Sequence, residues 1–112
     1  MSTNPLLKGT LQTIILKLLE DNEKMYGYEI TQKVKELTVG ELKLTEGALY
    51  PALHKLEADG LLETFTDVVD NRVRKYYRLT QQGSQEVTNK LQEAQAFIEH
   101  LQLLLNLKPH TS

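Results

Sequence analysis

Two groups of side chains in this sequence have the types and spacing to act on a charged surface. Thr45, Glu46, Tyr50, Pro51, His54 and Lys55 recur so that they stand outward on one helix, whose inward stripe is Leu49, Ala52, Leu53 and Leu56. A lysine ammonium and a tyrosine hydroxyl suit phosphate or guanine, and an exposed ring offers an apolar face to a thymine methyl. Glu46 repels phosphate, so it reads a cytosine amino group or serves only the positive end of its helix. The second group, Arg72, Arg74 and Lys75 with Arg78 close behind, concentrates positive charge in a β-forming stretch that Asp67 and Asp70 partly offset. Alternation puts Val73, Tyr77 and Leu79 on one face and Arg74, Tyr76 and Arg78 on the other, so basic side chains share a surface with a ring. The pattern favours nucleic acid over the plainer readings, a solvated helix face and a strand edge guarded by charge.

Other chemistry finds no support. His54, His100 and His110 are scattered, with only Glu99 adjacent to one of them, so no metal site is expected. The chain has no cysteine, which removes thiolate sites, cysteine nucleophiles and disulfides together. No glycine-rich phosphate loop or Ser-His-Asp arrangement can be assembled, and the expectation is a protein without cofactor or enzymatic activity. A formal net charge of -2 runs against duplex binding as a whole, so any attraction for phosphate has to be local.

The elements that must position these residues follow from periodicity. A length of 112 residues with 40% hydrophobic content supports one compact core plus an appendage. Pro5 followed by Leu7, Leu11, Ile14, Ile15, Leu18 and Leu19 predicts a first helix. Asp21, Asn22 and Glu23 break it, and Ile30, Val34 and Leu37 carry a second helix over residues 28–37. Just before it, Tyr26, Gly27 and Tyr28 are open to two readings: a packed helix start in which glycine permits a close approach, or phosphate contact by a tyrosine hydroxyl. Residues 38–44 form a turn centred on Gly40. Thr45 then caps a third helix reaching Asp59 and stopping at Gly60, with Leu44 and Leu49 placed to staple across its start. Pro51 inside this helix implies a kink or a tight turn ahead of it.

Beyond Gly60, Phe65, Val68 and Val69, then Val73, Tyr76 and Tyr77, flank Asp70-Asn71, a pair suited to a hairpin tip. Thr80 caps a last helix over residues 80–107, roughly 40 Å long at about 1.5 Å per residue. Along it Val87, Leu91, Ala94, Ile98, Leu101 and Leu105 step in heptad fashion, and Phe97, Leu103, Leu104 and Leu107 widen the stripe. So long an apolar side calls for a partner helix. Pro109 closes the segment ahead of a polar tail, residues 110–112. The expected architecture is mainly α with a small β-hairpin: a winged helix-turn-helix DNA-binding domain over 1–79 and a C-terminal dimerisation helix and tail over 80–112. The apolar runs are short and interrupted, as by Gln12, Thr13 and Lys17, and no signal-peptide order is seen, so a cytoplasmic location away from membranes is expected.

Taken together, KGTLQTIILKLLE (8–20), YGYEI (26–30), GALYPALHKLEADGLL (47–62) and RKYYRLTQQG (74–83) resemble, in this order and spacing, the PadR family of transcriptional regulators. The likeness is to the small subtype with a single C-terminal helix and covers nearly the whole chain. Asn71-Arg72-Val73 departs from it, standing where the family often has Gly and Pro, which leaves the tip conformation open. The resemblance implies a homodimer paired through the last helices, presenting two recognition helices to a pseudo-palindromic operator, usually to repress a nearby gene. It also implies that a small aromatic or phenolic effector can act at the dimer interface. Phe97 and its neighbouring leucines can line such a pocket or simply fill the seam; the chain has no tryptophan to build an indole platform. The competing reading is a winged-helix module that binds protein, which the net negative charge would suit; salt-dependent DNA affinity separates the two.

Overall fold

The computed structural model describes residues 3–108. The chain folds as α1 (Pro5–Gly9), α2 (Leu11–Asp21), β1 (Met25–Tyr26), α3 (Gly27–Leu37), α4 (Glu46–Ala58), β2 (Leu62–Val69), β3 (Arg72–Leu79) and α5 (Gln81–Leu104). The three strands form one antiparallel sheet in the order β1-β3-β2. α2 is the hub, packing on α4, α5 and β3. Its Leu11, Ile15, Leu16, Leu18 and Leu19 meet Ile30 and Val34 of α3, Leu49, Leu53 and Leu56 of α4, and Tyr77 in one core.

Local chemistry explains most boundaries. Thr45 is the α4 N-cap, its hydroxyl accepting from the Ala48 N–H at 3.2 Å, while Thr3 accepts from the Thr45 N–H at 3.0 Å. Thr45→Ala is expected to cost about 1 kcal/mol through the lost cap, read in a denaturant titration as a lower midpoint at unchanged slope. Leu44 and Leu49 are both buried, as the staple requires. α4 ends in a Schellman turn: Gly60 takes φ +78°, and the Leu61 N–H reaches the Leu56 carbonyl. It runs through Pro51, which is exposed on its surface. At the hairpin tip Asp70 and Asn71 have φ of 53° and 63° between the paired Val69 and Arg72. Two consecutive left-handed residues make the type I′ turn that matches strand twist, so the tip closes without Gly or Pro.

Four expectations are corrected. The first helix is two, because the Thr10 hydroxyl donates to the Leu6 and Leu7 carbonyls and closes α1 before α2 begins. A third strand, β1, pairs Met25 with Tyr77 and Tyr26 with Tyr76 ahead of α3. The last helix stops at Leu104, not at residue 107: Asn106 adopts φ 55° and the Leu107 N–H returns to the Gln102 carbonyl. Finally, Val87 is no seam residue. It is 1% exposed within its own chain's core, and Leu91 packs against that core. Pro109 and the tail lie outside the described residues.

Candidate nucleic-acid interface

The outward face of α4 is as its spacing requires. Glu46, Tyr50, Pro51, His54 and Lys55 are exposed, and Thr45 at the cap is partly so. The Tyr50 and His54 rings lie 6.3 Å apart, one turn along the helix. The Lys55 ammonium rests on Asp59 at 2.9 Å. Exposed i,i+4 pairs of this kind are worth only a few tenths of a kcal/mol, so about that much opposes transfer of the ammonium to a phosphate.

In the wing, the β2–β3 hairpin, cross-strand pairing decides which cations remain available. Glu63 opposite Arg78 accepts from its guanidinium at 3.0 Å, and Asp67 accepts from Lys24 at 3.2 Å. That hydrogen bond, with one from the Val68 N–H, holds the Asp67 carboxyl below its ordinary pKa. Arg72, Arg74 and Lys75 have no ion-pair partner among the described residues. The wing therefore carries three cations outside any ion pair, offset only by Asp70 at its tip, on a protein of net charge -2.

Tyr76 does not share the surface as an exposed ring. It is buried, edge-on to Tyr26 and stacked on Phe65, with the Lys24 ammonium 4.8 Å above its centroid. Arg78 covers Phe65, and Arg74 lies over Tyr26 at 4.2 Å. Cations over ring faces are attracted by the quadrupole, and a planar guanidinium stacked in this way is held in orientation. Arg74 is thus presented on an aromatic base.

Between the two groups lies a niche of about 310 Å³ lined by Tyr26, Gly27, Tyr28, Tyr50, Arg74, Lys75 and Tyr77. Gly27 makes the packing possible: a β-carbon there would lie 2.5 Å from the Tyr50 hydroxyl oxygen and 3.0 Å from Cζ. The close approach expected of Gly27 is present, its neighbour being the Tyr50 ring. Tyr77, from the core side, was missed as a site residue. Its ring alternates inward with Leu79 and reads as core; only tertiary packing brings it to Tyr50.

The Transcriptional regulator PadR-like family matches residues 15–89, from α2 into the first third of α5. The chain belongs to this family. It is 39% identical over 105 residues to the transcriptional regulator Rv3488 of Mycobacterium tuberculosis, covering 94% of this chain and 92% of that one. A transcriptional regulator from Clostridium thermocellum superposes with a TM-score of 0.77 at 28% identity, over 90% of this chain and 95% of that one. Bacillus subtilis PadR, solved in complex with operator DNA, is similar at 32% identity and TM-score 0.64, over 72% of this chain and 46% of its own. The chain is accordingly a winged-helix transcriptional regulator and not an enzyme.

In this PadR-family chain α5 has two halves. The first is bolted to the body: the Thr80 N–H donates to the Leu61 carbonyl, its hydroxyl donates to the Gly60 carbonyl, and Gly83 and Val87 are buried. The second half projects, with Phe97, Ile98, Leu103, Leu104 and Leu105 all exposed, Leu103 and Leu104 at 79%. Ala94 and Leu101 are intermediate. Phe97, Ile98 and Leu101 line an apolar groove of about 550 Å³ with Pro5, Leu6, Ile14 and Leu42. Among the described residues no His/Cys/Asp/Glu group could hold a metal, and no helix is long and apolar enough to cross a membrane.

Proposed function

We propose that the protein is a homodimeric repressor that binds a pseudo-palindromic operator. In this reading α4 enters the major groove and the wing follows the backbone; the DNA-contacting set is Thr45, Glu46, Tyr50, Pro51, His54, Lys55, Arg72, Arg74 and Lys75. The observation that carries it is the convergence of Tyr50, from the exposed face of α4, with Arg74 and Lys75 of the wing on one niche. One duplex lying against α4 would meet both groups. That a family relative has been solved in complex with operator DNA supports duplex DNA as the partner.

Dimerisation is assigned to the second half of α5, through Ala94, Ile98, Leu101 and Leu105. These residues bring an apolar surface that the body leaves open, whereas Gly83, Val87 and Leu91 serve the body. The division of labour between residues 1–79 and 80–112 is kept with that change. A small aromatic effector, in this reading, enters the groove beside Phe97 and weakens operator binding by altering how the two protomers are held. The setting is the cytoplasm, where the operator is.

The test is a mobility shift on DNA upstream of the protein's own gene, at two salt concentrations, with solution mass measured in parallel. A dimer should saturate two half-sites about one helical turn (~34 Å) apart, with affinity falling steeply as salt rises. Binding no better than to random duplex at low salt would sink the repressor reading and favour a protein-binding module.

A further inference from the structure

We infer that Glu46 is the side chain through which this protein selects a C·G base pair in each half-site: it accepts from the cytosine amino group and turns away other bases by repulsion. The inference rests on the operator-binding reading and adds to it which base one residue reads.

Six carboxylates lie in α4 and the hairpin, and four of them are engaged. Glu57 accepts from the Thr64 hydroxyl at 3.4 Å, Asp59 from Lys55, Glu63 from Arg78 and Asp67 from Lys24. Asp70 has its place in the hairpin turn, whose positive φ an aspartate tolerates. Glu46 is exposed, has no hydrogen bond or ion pair among the described residues, and belongs to no turn. The start of α4 does not need it, because the Thr45 hydroxyl already accepts from the Ala48 N–H. A capping box would place its carboxylate at residue 48, which is an alanine. What is left for Glu46 within the fold is a weak, solvent-screened attraction to the helix dipole.

The side chains around it are committed elsewhere. Tyr50, one turn further along α4, is drawn aside: its hydroxyl lies against Gly27 and its ring lines the niche with Arg74 and Lys75. The Thr45 hydroxyl is held by its cap and by Thr3, and the Lys55 ammonium rests on Asp59. Glu46 is thus the uncommitted charge in the first turn of the recognition helix, the part of such a helix that meets base edges. An ionised carboxylate can only accept hydrogen bonds. In the major groove, guanine offers the acceptors N7 and O6 and thymine the acceptor O4, all of which repel it. Adenine has a donor at N6 beside an acceptor at N7, whereas cytosine presents its N4 amino group alone. The order of preference is therefore cytosine, then adenine, with guanine and thymine rejected. The same charge repels the phosphates of any duplex, so without cytosine in place Glu46 opposes binding, and one residue both favours the correct site and disfavours the rest.

The test selects binding sites from a pool of randomised duplexes with the wild-type dimer and with Glu46→Ala. Each protein is then titrated with the wild-type site and with unselected duplex at one salt concentration. The wild type should enrich one C·G pair per half-site that Glu46→Ala does not, with the other positions unchanged. Glu46→Ala should lose about tenfold on the wild-type site and gain about threefold on unselected duplex, so that the ratio of the two falls roughly 30-fold. Replacing that C·G pair should cost the wild type about tenfold and Glu46→Ala almost nothing further, the signature of direct coupling. Glu46→Gln keeps the reach but can also donate, and should move the enrichment at that position to adenine, whose N6 and N7 an amide fits.

A charge that serves only the helix dipole predicts otherwise: the same enriched sequence for wild type and Glu46→Ala, and an affinity change shared equally by both kinds of duplex. That result would overturn the inference and leave operator binding standing. No enriched sequence from the wild type would overturn the operator reading, and this inference with it.

Discussion

Gly83→Ala should be among the most destabilising single-methyl additions available in this chain. A β-carbon at residue 83 would overlap the Leu61 backbone carbonyl and press on the Leu79 side chain. The carbonyl cannot rotate away, because it accepts the Thr80 N–H that starts α5. Overpacking against flexible side chains costs about 1–3 kcal/mol; against fixed backbone we expect about 3 kcal/mol or more, or roughly 10–20 °C in melting temperature. The control is Gly47→Ala in α4, where an added methyl meets nothing within 4 Å and glycine is the poorer helix former. It should stabilise by about 0.5–1 kcal/mol. Equal melting temperatures for the wild type and Gly83→Ala would show that the α5–wing joint is loose.

Removing Arg74 and Lys75 together should have the largest effect on DNA binding. Both are free of ion pairs among the described residues, and both line the niche beside the recognition helix. The double alanine variant is expected to lose roughly 30- to 100-fold in affinity at moderate salt and to flatten the logarithmic salt dependence by about 1.8. Arg78→Ala is the matched comparison. Its charge is already spent on Glu63, so its salt slope should stay within about 0.5 of the wild type. Binding isotherms at four or five salt concentrations decide the matter. If Arg78→Ala flattens the slope as much as the double variant does, local charge pairing is not what selects the phosphate contacts.

Much of the fold was legible in the sequence because its signals are local. Thr45 and Thr80 announce helix starts through their own hydroxyls, and Asp70-Asn71 announces a tip because both residues tolerate positive φ. The outward face of α4 follows from the spacing of Leu49, Leu53 and Leu56 alone. What stayed hidden is set by partners. β1 is two residues long and is a strand only because β3 lies beside it. Heptad spacing says that Val87 faces something apolar, without saying whether that is its own α2 or a second chain. Tyr77 reads as core by alternation, and only the approach of Tyr50 over Gly27 makes it part of a site. The end of α5 was legible and passed over: an asparagine at 106, just past the last apolar turn, is a familiar left-handed stop.

The crowding of tyrosines around the niche gives the molecule an optical property. The chain contains no tryptophan and five tyrosines; Tyr26, Tyr28, Tyr50 and Tyr77 line the niche, and Tyr76 lies against Tyr26. α5 carries none. Tyrosine emission therefore arises almost wholly from the face assigned to DNA, while pairing of the C-terminal helices goes unseen by the same light. One unlabelled sample can thus report on the DNA-facing surface separately from assembly, and any disagreement between its optical and hydrodynamic titrations measures how far the two events are coupled.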